Sequence, residues 1–535
     1  MSCARLIVLT GALLPIATAL AAGDTDWPSY NRTLTSERFA PHSQVTRDNV
    51  AQLGIVCSYD THDQLSFQTG PLVIAGVLYG TTDTDTFALD AGTCQERWRV
   101  HEDAQTFFRT NRGVAYLEGR LFRGLQDGRV VAYEAASGRR LWETRIADSK
   151  KGEGVPAAPI AWSGLVFIGN AGGDSYGVKG RMYALDAATG KVVWEFYLVP
   201  RENLAPKDSA RSSATHEVAR DKSWGNKPDV PITGGATWTS YTLDAGRGLL
   251  YVPGGNPAPD FVSSLRPGEN LYTNSVVVLD ARTGAYRAHY QLAPEDFHDW
   301  DVSSAPVLTT TRAGQHRLLE APKDGHLYGY DLASGRRVFR TPITTIENED
   351  VPLSENGTRF CPGTQGGSEW NGPAYDPETN LALTGSVDWC STVWVKPEAV
   401  VKNAAVGQPW TGGQEPNIFG KMDPPEHFGG WLSATDADTG EVRWRMRTPA
   451  PVLSGVTPTA GGLVFFGDIA GHFYALDKTS GQQLWSTQLD GAVAGGVVSY
   501  IVNDQQRIAV AAGAISPIWP TPKVNASIVV FGLKH

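Results

Sequence analysis

A single phrase recurs along this chain and limits its fold more than any other feature. It reads "ALDAGTCQERW" ending at Trp98, "AYEAASGRRLW" at Trp142, "ALDAATGKVVW" at Trp194, "VLDARTGAYRA" at Ala288, "GYDLASGRRVF" at Phe339, "ATDADTGEVRW" at Trp444 and "ALDKTSGQQLW" at Trp485. Each copy has an acidic residue, three residues, usually a glycine, three more residues and usually an aromatic; an apolar run such as "GLVFIGN" or "GLVFFGD" comes before it. Physically this is a β-hairpin. The acidic side chain accepts the turn amides, glycine takes a positive φ, and the aromatic sits on the returning strand. The copies begin at Asp90, Glu134, Asp186, Asp280, Asp331, Asp436 and Asp477, about 45 residues apart except for two intervals about twice as long. That spacing, with several strands per unit, predicts a β-propeller whose blades stack their aromatics on neighbours. Trp98, Trp142, Trp194, Trp444 and Trp485 are therefore expected to pack between blades. The long intervals, 187–279 and 332–435, leave room for degenerate units or large insertions.

Composition agrees with an all-β chain: 58 glycines, and 16 tryptophans against 4 methionines, favour tight turns and rigid aromatic packing over long helices. The net charge of −10 and the lack of a Lys/Arg-rich run argue against a nucleic-acid partner. Residues 1–22 read as a secretory signal: one early Arg5, an apolar stretch interrupted by Pro15, and Ala19-Leu20-Ala21 before a polar segment, with cleavage after Ala21 or Ala22. Residues 23–535 then form one exported, periplasmic domain. No later stretch approaches about 18 uninterrupted apolar residues, so no transmembrane segment is expected. Export leaves Cys57, Cys94, Cys361 and Cys390, which permit three pairings; the sequence-local one, Cys57–Cys94 and Cys361–Cys390, is expected. No CxxC or HxxxH spacing supports zinc, and no CxxCH supports covalent haem.

Three segments outside the repeat hold unusual polar clusters: "GNAGGDSYGVKG" at residues 169–180, "GGATWTSYTLDAGRGLLYVPGGNPAPD" at 234–260, and "FHDWDVSSAP" at 297–306. Each adjoins an apolar run, so each is expected at a strand end, where a propeller opens its central funnel. Asp174, Asn256 and Asp301 would together give two carboxylates and an amide carbonyl, hard oxygen ligands that suit calcium and leave positions open for a ligand with oxygens of its own. Taken singly, Asp174 and Asn256 also read as turn formers. His298 and Asp299 read as orienting or turn residues.

With its terminal tryptophan, the phrase resembles the docking motif of the quinoprotein alcohol dehydrogenases. These are eight-bladed propellers that bind pyrroloquinoline quinone (PQQ). The same repeat occurs in non-catalytic PQQ-like propellers, including envelope assembly scaffolds. The resemblance implies an alcohol oxidised by hydride transfer to calcium-bound PQQ, with electrons passed to an external acceptor such as a soluble cytochrome c. Residue by residue, Gly172, Gly173 and Asp174 resemble a "GxxGxE" loop that carries a calcium ligand, here a shorter Asp. Trp238 and Asn256 resemble the cofactor's stacking floor and a second calcium ligand. Asp301 resembles the catalytic base that also touches the metal. Lys323 in "KDGHLYGYD" resembles a basic residue that reaches the quinone oxygens, Arg112 in "TNRGVAY" one that pairs with the cofactor's carboxylates. The segment "FCPGTQGGSEWNGPAYDP" with "DWC" resembles a region closed by a disulfide, supporting Cys361–Cys390 and placing Glu369 near the cofactor.

Some positions depart from the family pattern. Thr106-Phe107-Phe108-Arg109 stands where many members carry a vicinal disulfide, and Leu453 where methanol enzymes have a tryptophan. Both favour alcohols larger than methanol, secondary or polyhydroxylated. Ser303 replaces the extra carboxylate of lanthanide-dependent members, which favours calcium. The rival expectations are a non-catalytic scaffold for envelope assembly and a glycan binder using funnel aromatics.

Overall fold

The computed structural model describes residues 24–104, 109–201, 214–216 and 222–534. The expected signal segment and Thr106-Phe107-Phe108 lie outside the described residues. Within them the fold is all-β: one α-helix occurs, the four-residue Glu398–Val401. Among the described residues no helix is long and apolar enough to cross a membrane.

Eight sheets of four or five strands follow one another along the chain. Seven are built as the phrase dictates: an apolar strand, a turn or insertion, the strand that ends in the acidic residue, and the strand that carries the aromatic, replaced by Ala288 in one copy. In the sheet that includes Leu165–Gly169, Arg181–Asp186 and Val192–Tyr197, Asp186 Oδ1 accepts from the amides of Ala188 (3.1 Å) and Thr189 (2.8 Å) and from the Thr189 hydroxyl (2.7 Å). Gly190 then takes φ +73°, a left-handed conformation that glycine adopts at no steric cost. A register shift between Ala184 and Leu185 opens the returning strand. Where the sheets stack, the opening strands of neighbours lie side by side, as Ala115–Leu117 does with Ile160–Trp162.

The tryptophans join consecutive copies. The Trp98 indole N–H donates to Ala135 O (3.1 Å), Trp142 to Ala187 O (3.1 Å), Trp194 to Ala281 O (3.0 Å) and Trp444 to Lys478 O (3.1 Å). In every case the acceptor follows the acidic residue of the next copy. The glycine of that next copy lies against the ring: a Cβ on Gly284 would come within 2.7 Å of Trp194, and one on Gly190 within 2.5 Å of Trp142. Phe339 fills the same place against Gly440. Ala288 does not, and the space over Gly335 in the following copy is open.

Both long intervals hold insertions. One sheet contains Leu249–Pro253 and Ser275–Asp280 with residues 254–274 looped out between them; another contains Leu381–Asp388 and Gly429–Asp436 with 389–428 looped out. The eighth sheet joins the chain ends, with Leu53–Asp60 antiparallel to Ser527–Leu533. The expected disulfides are both present. Cys57–Cys94 ties the closing strand to the first repeat's turn, and Cys361–Cys390 ties the two strands Thr358–Phe360 and Ser391–Val393 at their ends.

Trp194 is fully buried. Trp194→Ala is expected to lower the unfolding free energy by about 3–5 kcal/mol through lost packing. Trp194→Phe, which mainly strands the Ala281 carbonyl, should cost about 1–3 kcal/mol. Denaturant midpoints of the two variants check this order.

Candidate active site

The polar segments converge because each is a loop at the end of a strand or an insertion between strands. Asp174 follows Leu165–Gly169 in a loop pinned by the buried Asn170, whose side chain donates to Lys179 O (3.1 Å) and accepts from Arg181 N (2.7 Å). Gly172 takes φ +103° with Gly152 O where a Cβ would stand, and Gly173 packs on Ala236. No side chain fits at Gly172. Asn256 and Asp260 belong to the 254–274 insertion.

Fully buried Arg266 binds that insertion to the "FHDWD" turn. Its guanidinium donates to the carbonyls of Pro259 (3.0 Å), Asp260 (2.9 Å) and Asp296 (2.7 Å) and to Asn270 Oδ1 (2.8 Å). Asp296 shapes the turn by accepting from the amides of His298 (3.0 Å) and Trp300 (3.1 Å). The His298 ring stacks on Trp300, centroids 3.9 Å apart, and meets Phe360 edge-on. Asp299 adopts φ +67°, a backbone region that is costly for a residue with a Cβ.

Four carboxylates meet here. Oxygens of Asp174, Asp260 and Asp299 lie within 4.8 Å of one another. Asp301 adjoins them: its Oδ1 accepts from Asn256 N (3.0 Å), and its Oδ2 is 2.8 Å from Lys323 Nζ, which is also 3.5 Å from Asp299 Oδ2. Burial, then the Asp301 charge, raises the Asp174 carboxyl to about 6, against the pull of Lys323 and the Asn256 side chain. Burial and neighbouring carboxylates push Asp260 and Asp299 well above the usual range. Burial alone would lower Lys323, but Asp299, Asp301 and Glu369 outweigh it and hold the ammonium charged.

Next to this cluster lies Trp238, half-buried, with the Arg112 guanidinium 4.7 Å and Lys323 Nζ 5.7 Å from its ring centroid. Arg112 donates to Trp238 O (3.1 Å) and lies 5.2 Å from the Trp370 centroid. Burial lowers Arg112 to about 10, so it stays charged near neutrality. Glu369 is raised to about 7, chiefly by burial, and its Oε1 has no hydrogen-bond partner.

The structure thus brings together Arg112, Gly172, Gly173, Asp174, Trp238, Asn256, Asp301, Lys323 and Glu369. Leu453 is buried in the same aromatic-lined core as Trp370, Trp389 and Trp519. Sequence reading missed Asp260 and Trp370 and took Asp299 for an orienting or turn residue. The signal for Asp260 was the last letter of "GNPAPD", which reads as a turn.

An all-β body that gathers carboxylates, cations and one half-buried tryptophan in a single cluster describes a cofactor-binding protein. The model of the glucose/ethanol/alcohol dehydrogenase β-propeller domain matches residues 27–354, and that of outer membrane protein assembly factor BamB matches 429–518. The chain is 29% identical to the quinohemoprotein alcohol dehydrogenase of Comamonas testosteroni over 92% of this chain and 73% of that one. It is 31% identical to the dehydrogenase subunit of the Acetobacter aceti quinone alcohol dehydrogenase, over 91% and 71%. The solved quinohemoprotein alcohol dehydrogenase ADHIIG of Pseudomonas putida HK5 superposes with a TM-score of 0.82 at 26% identity, covering 95% of this chain and 80% of that one. The chain belongs to the PQQ-dependent alcohol dehydrogenase family and has its propeller-like fold; it is an oxidoreductase of that kind.

In protein free of metal and cofactor, the raised Glu369 carboxyl has a definite sign. Its stabilising share is complete below about 4.5 and is lost as pH rises through about 7, a total of about 3 kcal/mol. Glu369→Gln should therefore gain stability on the wild type across that window, read as diverging unfolding midpoints. A constant gap would contradict the burial-driven shift.

Proposed function

We propose that this chain is a periplasmic quinoprotein dehydrogenase that oxidises an alcohol to an aldehyde or ketone and passes the electrons to an external acceptor such as cytochrome c. The observation that carries the reading is the convergence of Arg112, Asp174, Trp238, Asn256, Asp301, Lys323 and Glu369, from separate segments, in one cluster in a member of this family. In the same reading, residues 1–22 are the export signal, residues 23–535 are one domain, and the eight sheets are blades of an eight-bladed propeller locked by tryptophan docking.

The donor set fits a hard cation. Asp174, Asp301 and the Asn256 side chain offer oxygens only, as calcium takes, and burying such carboxylates without a counter-ion is costly. The slot also fits PQQ, a flat, polyanionic quinone: Trp238 offers a stacking face, Arg112 a partner for its carboxylates, Lys323 a donor to its quinone oxygens, Glu369 a hydrogen-bonding edge, and Gly172 and Gly173 close approach of backbone. When bound, PQQ supplies the two-electron acceptor and calcium the polarisation of its carbonyl.

Asp301 acts as base. The Asn256 amide donates to its Oδ1 and the Lys323 ammonium lies 2.8 Å from its Oδ2, which fixes the carboxylate in position to take the alcohol proton. Lys323 balances the charge, and the rigid strand ends fix the alcohol carbon in place. Phe261, Trp300, Phe360 and Val393 form a buried apolar cluster that anchors the tryptophan of the "FHDWD" turn. The match of residues 429–518 to an assembly factor favours a scaffold reading. A scaffold, however, has no use for buried carboxylates that each cost several kcal/mol.

Purified protein should quench its tryptophan fluorescence saturably with PQQ in calcium and lose that response to a chelator. With an artificial electron acceptor it should oxidise alcohols, and Asp301→Asn should cut kcat by about 10²–10⁴-fold while still binding PQQ. Full activity in that variant, or turnover with NAD alone, would overturn the assignment.

A further inference from the structure

Asp260 is a buried carboxylate that the proposed chemistry leaves without a task. It is 0% exposed, and neither of its side-chain oxygens has a hydrogen-bond partner. Arg266, whose charge acts on it, gives it no hydrogen bond: its donors go to the main-chain carbonyls of Pro259, Asp260 and Asp296 and to Asn270 Oδ1. These bonds fix the backbone of Asp260 while its carboxylate lies within 4.8 Å of oxygens of Asp174 and Asp299. Lys323, the ammonium of the cluster, is engaged by Asp299 and Asp301. A buried carboxylate with two open oxygens, beside two others, is stable in ionised form only against a further positive charge.

We propose that Asp260 is an additional direct ligand of the cation in this slot, and that the charge it adds biases the site toward a trivalent hard cation over calcium. This rests on the metal site of the proposed function and deepens it. The donors are all hard oxygens, so ion size and charge decide selectivity. The attraction of each added carboxylate for the ion scales with the ion's charge, so Asp260 strengthens binding of a trivalent ion more than of a divalent one. Ser303 offers no carboxylate beyond the "HDWD" turn; Asp260 supplies one from the insertion instead.

Terbium tests this without reference to activity. The full-length protein, stripped with chelator, is titrated with Tb³⁺ followed by luminescence sensitised through Trp238 and Trp300, and with Ca²⁺ in competition. Asp260→Asn should weaken Tb³⁺ binding on the order of 100-fold and Ca²⁺ binding on the order of 10-fold. In metal-free buffer the same variant should be at least as stable as the wild type, because it removes an uncompensated buried charge. Equal losses for the two ions would overturn the charge bias, and unchanged Tb³⁺ affinity would overturn the ligand role. A variant destabilised or unfolded without metal, with Asp260→Ser behaving alike, would show a structural role and also overturn the proposal. In each of these cases wild-type binding of PQQ and calcium leaves the proposed function standing. If the wild type binds neither, that reading falls first and the ligand role with it.

Discussion

The fold depends on an indole that its own sheet cannot bury. Trp98, Trp142, Trp194 and Trp444 each stand on the strand that returns from an acidic turn, and each N–H donates to a carbonyl just after the acidic residue of the next copy. The same contact requires glycine at the fourth position after that acid, both for its positive φ and because a Cβ would strike the ring. Turn chemistry and the contact between sheets are thus one device: the acid organises the turn, the turn presents the glycine, and the glycine admits the neighbour's aromatic. At Ala288 the device is missing and space stays open above Gly335. That single degenerate contact shows what the aromatic fills elsewhere.

Rigidity in the sheets is what permits the site. Several carboxylates within a few ångströms of each other repel, and desolvation adds to the cost. Only a scaffold that over-determines the loops can keep them together. Arg266, spending its donors on main-chain carbonyls from two segments, and Asp296, capping the amides of His298 and Trp300, provide that constraint without touching the cluster's own oxygens. The left-handed backbone at Asp299 is held in the same way. The organisation is electrostatic: the cations Arg112 and Lys323 lie 4.7 Å and 5.7 Å from the half-buried Trp238 ring centroid, and the carboxylates of Asp174, Asp260 and Asp299 gather beside them.

Much of this was legible in the chain. The repeat announced an all-β fold because its signals are local: an acid that caps its own turn, a glycine with positive φ, an aromatic at fixed distance. Both disulfides joined the nearest cysteines in sequence, as expected. The segments around Asp174, Asn256 and Asp301 stood out because polar clusters broke the repeat pattern at strand ends. Less was legible where local signals are ambiguous. Asp299 sits in a turn and reads as a turn residue, yet its side chain faces Lys323 and two other carboxylates.

The sequence by itself determined the unit of construction, the turn that closes each copy, and the residue types from which a cofactor slot could be made, since these depend on neighbours within about a dozen positions. Tertiary structure alone decided that the long intervals hold insertions with small sheets of two or three strands rather than further four-stranded units, and that Leu53–Asp60 pairs with Ser527–Leu533. It alone decided, too, that Asp260 turns toward Asp174 and Asp299. An aspartate after a proline has the same local signature whether it caps a turn or faces other carboxylates. Only the path of the insertion across the end of its sheet distinguishes the two, and that path is set by contacts between residues far apart in the chain.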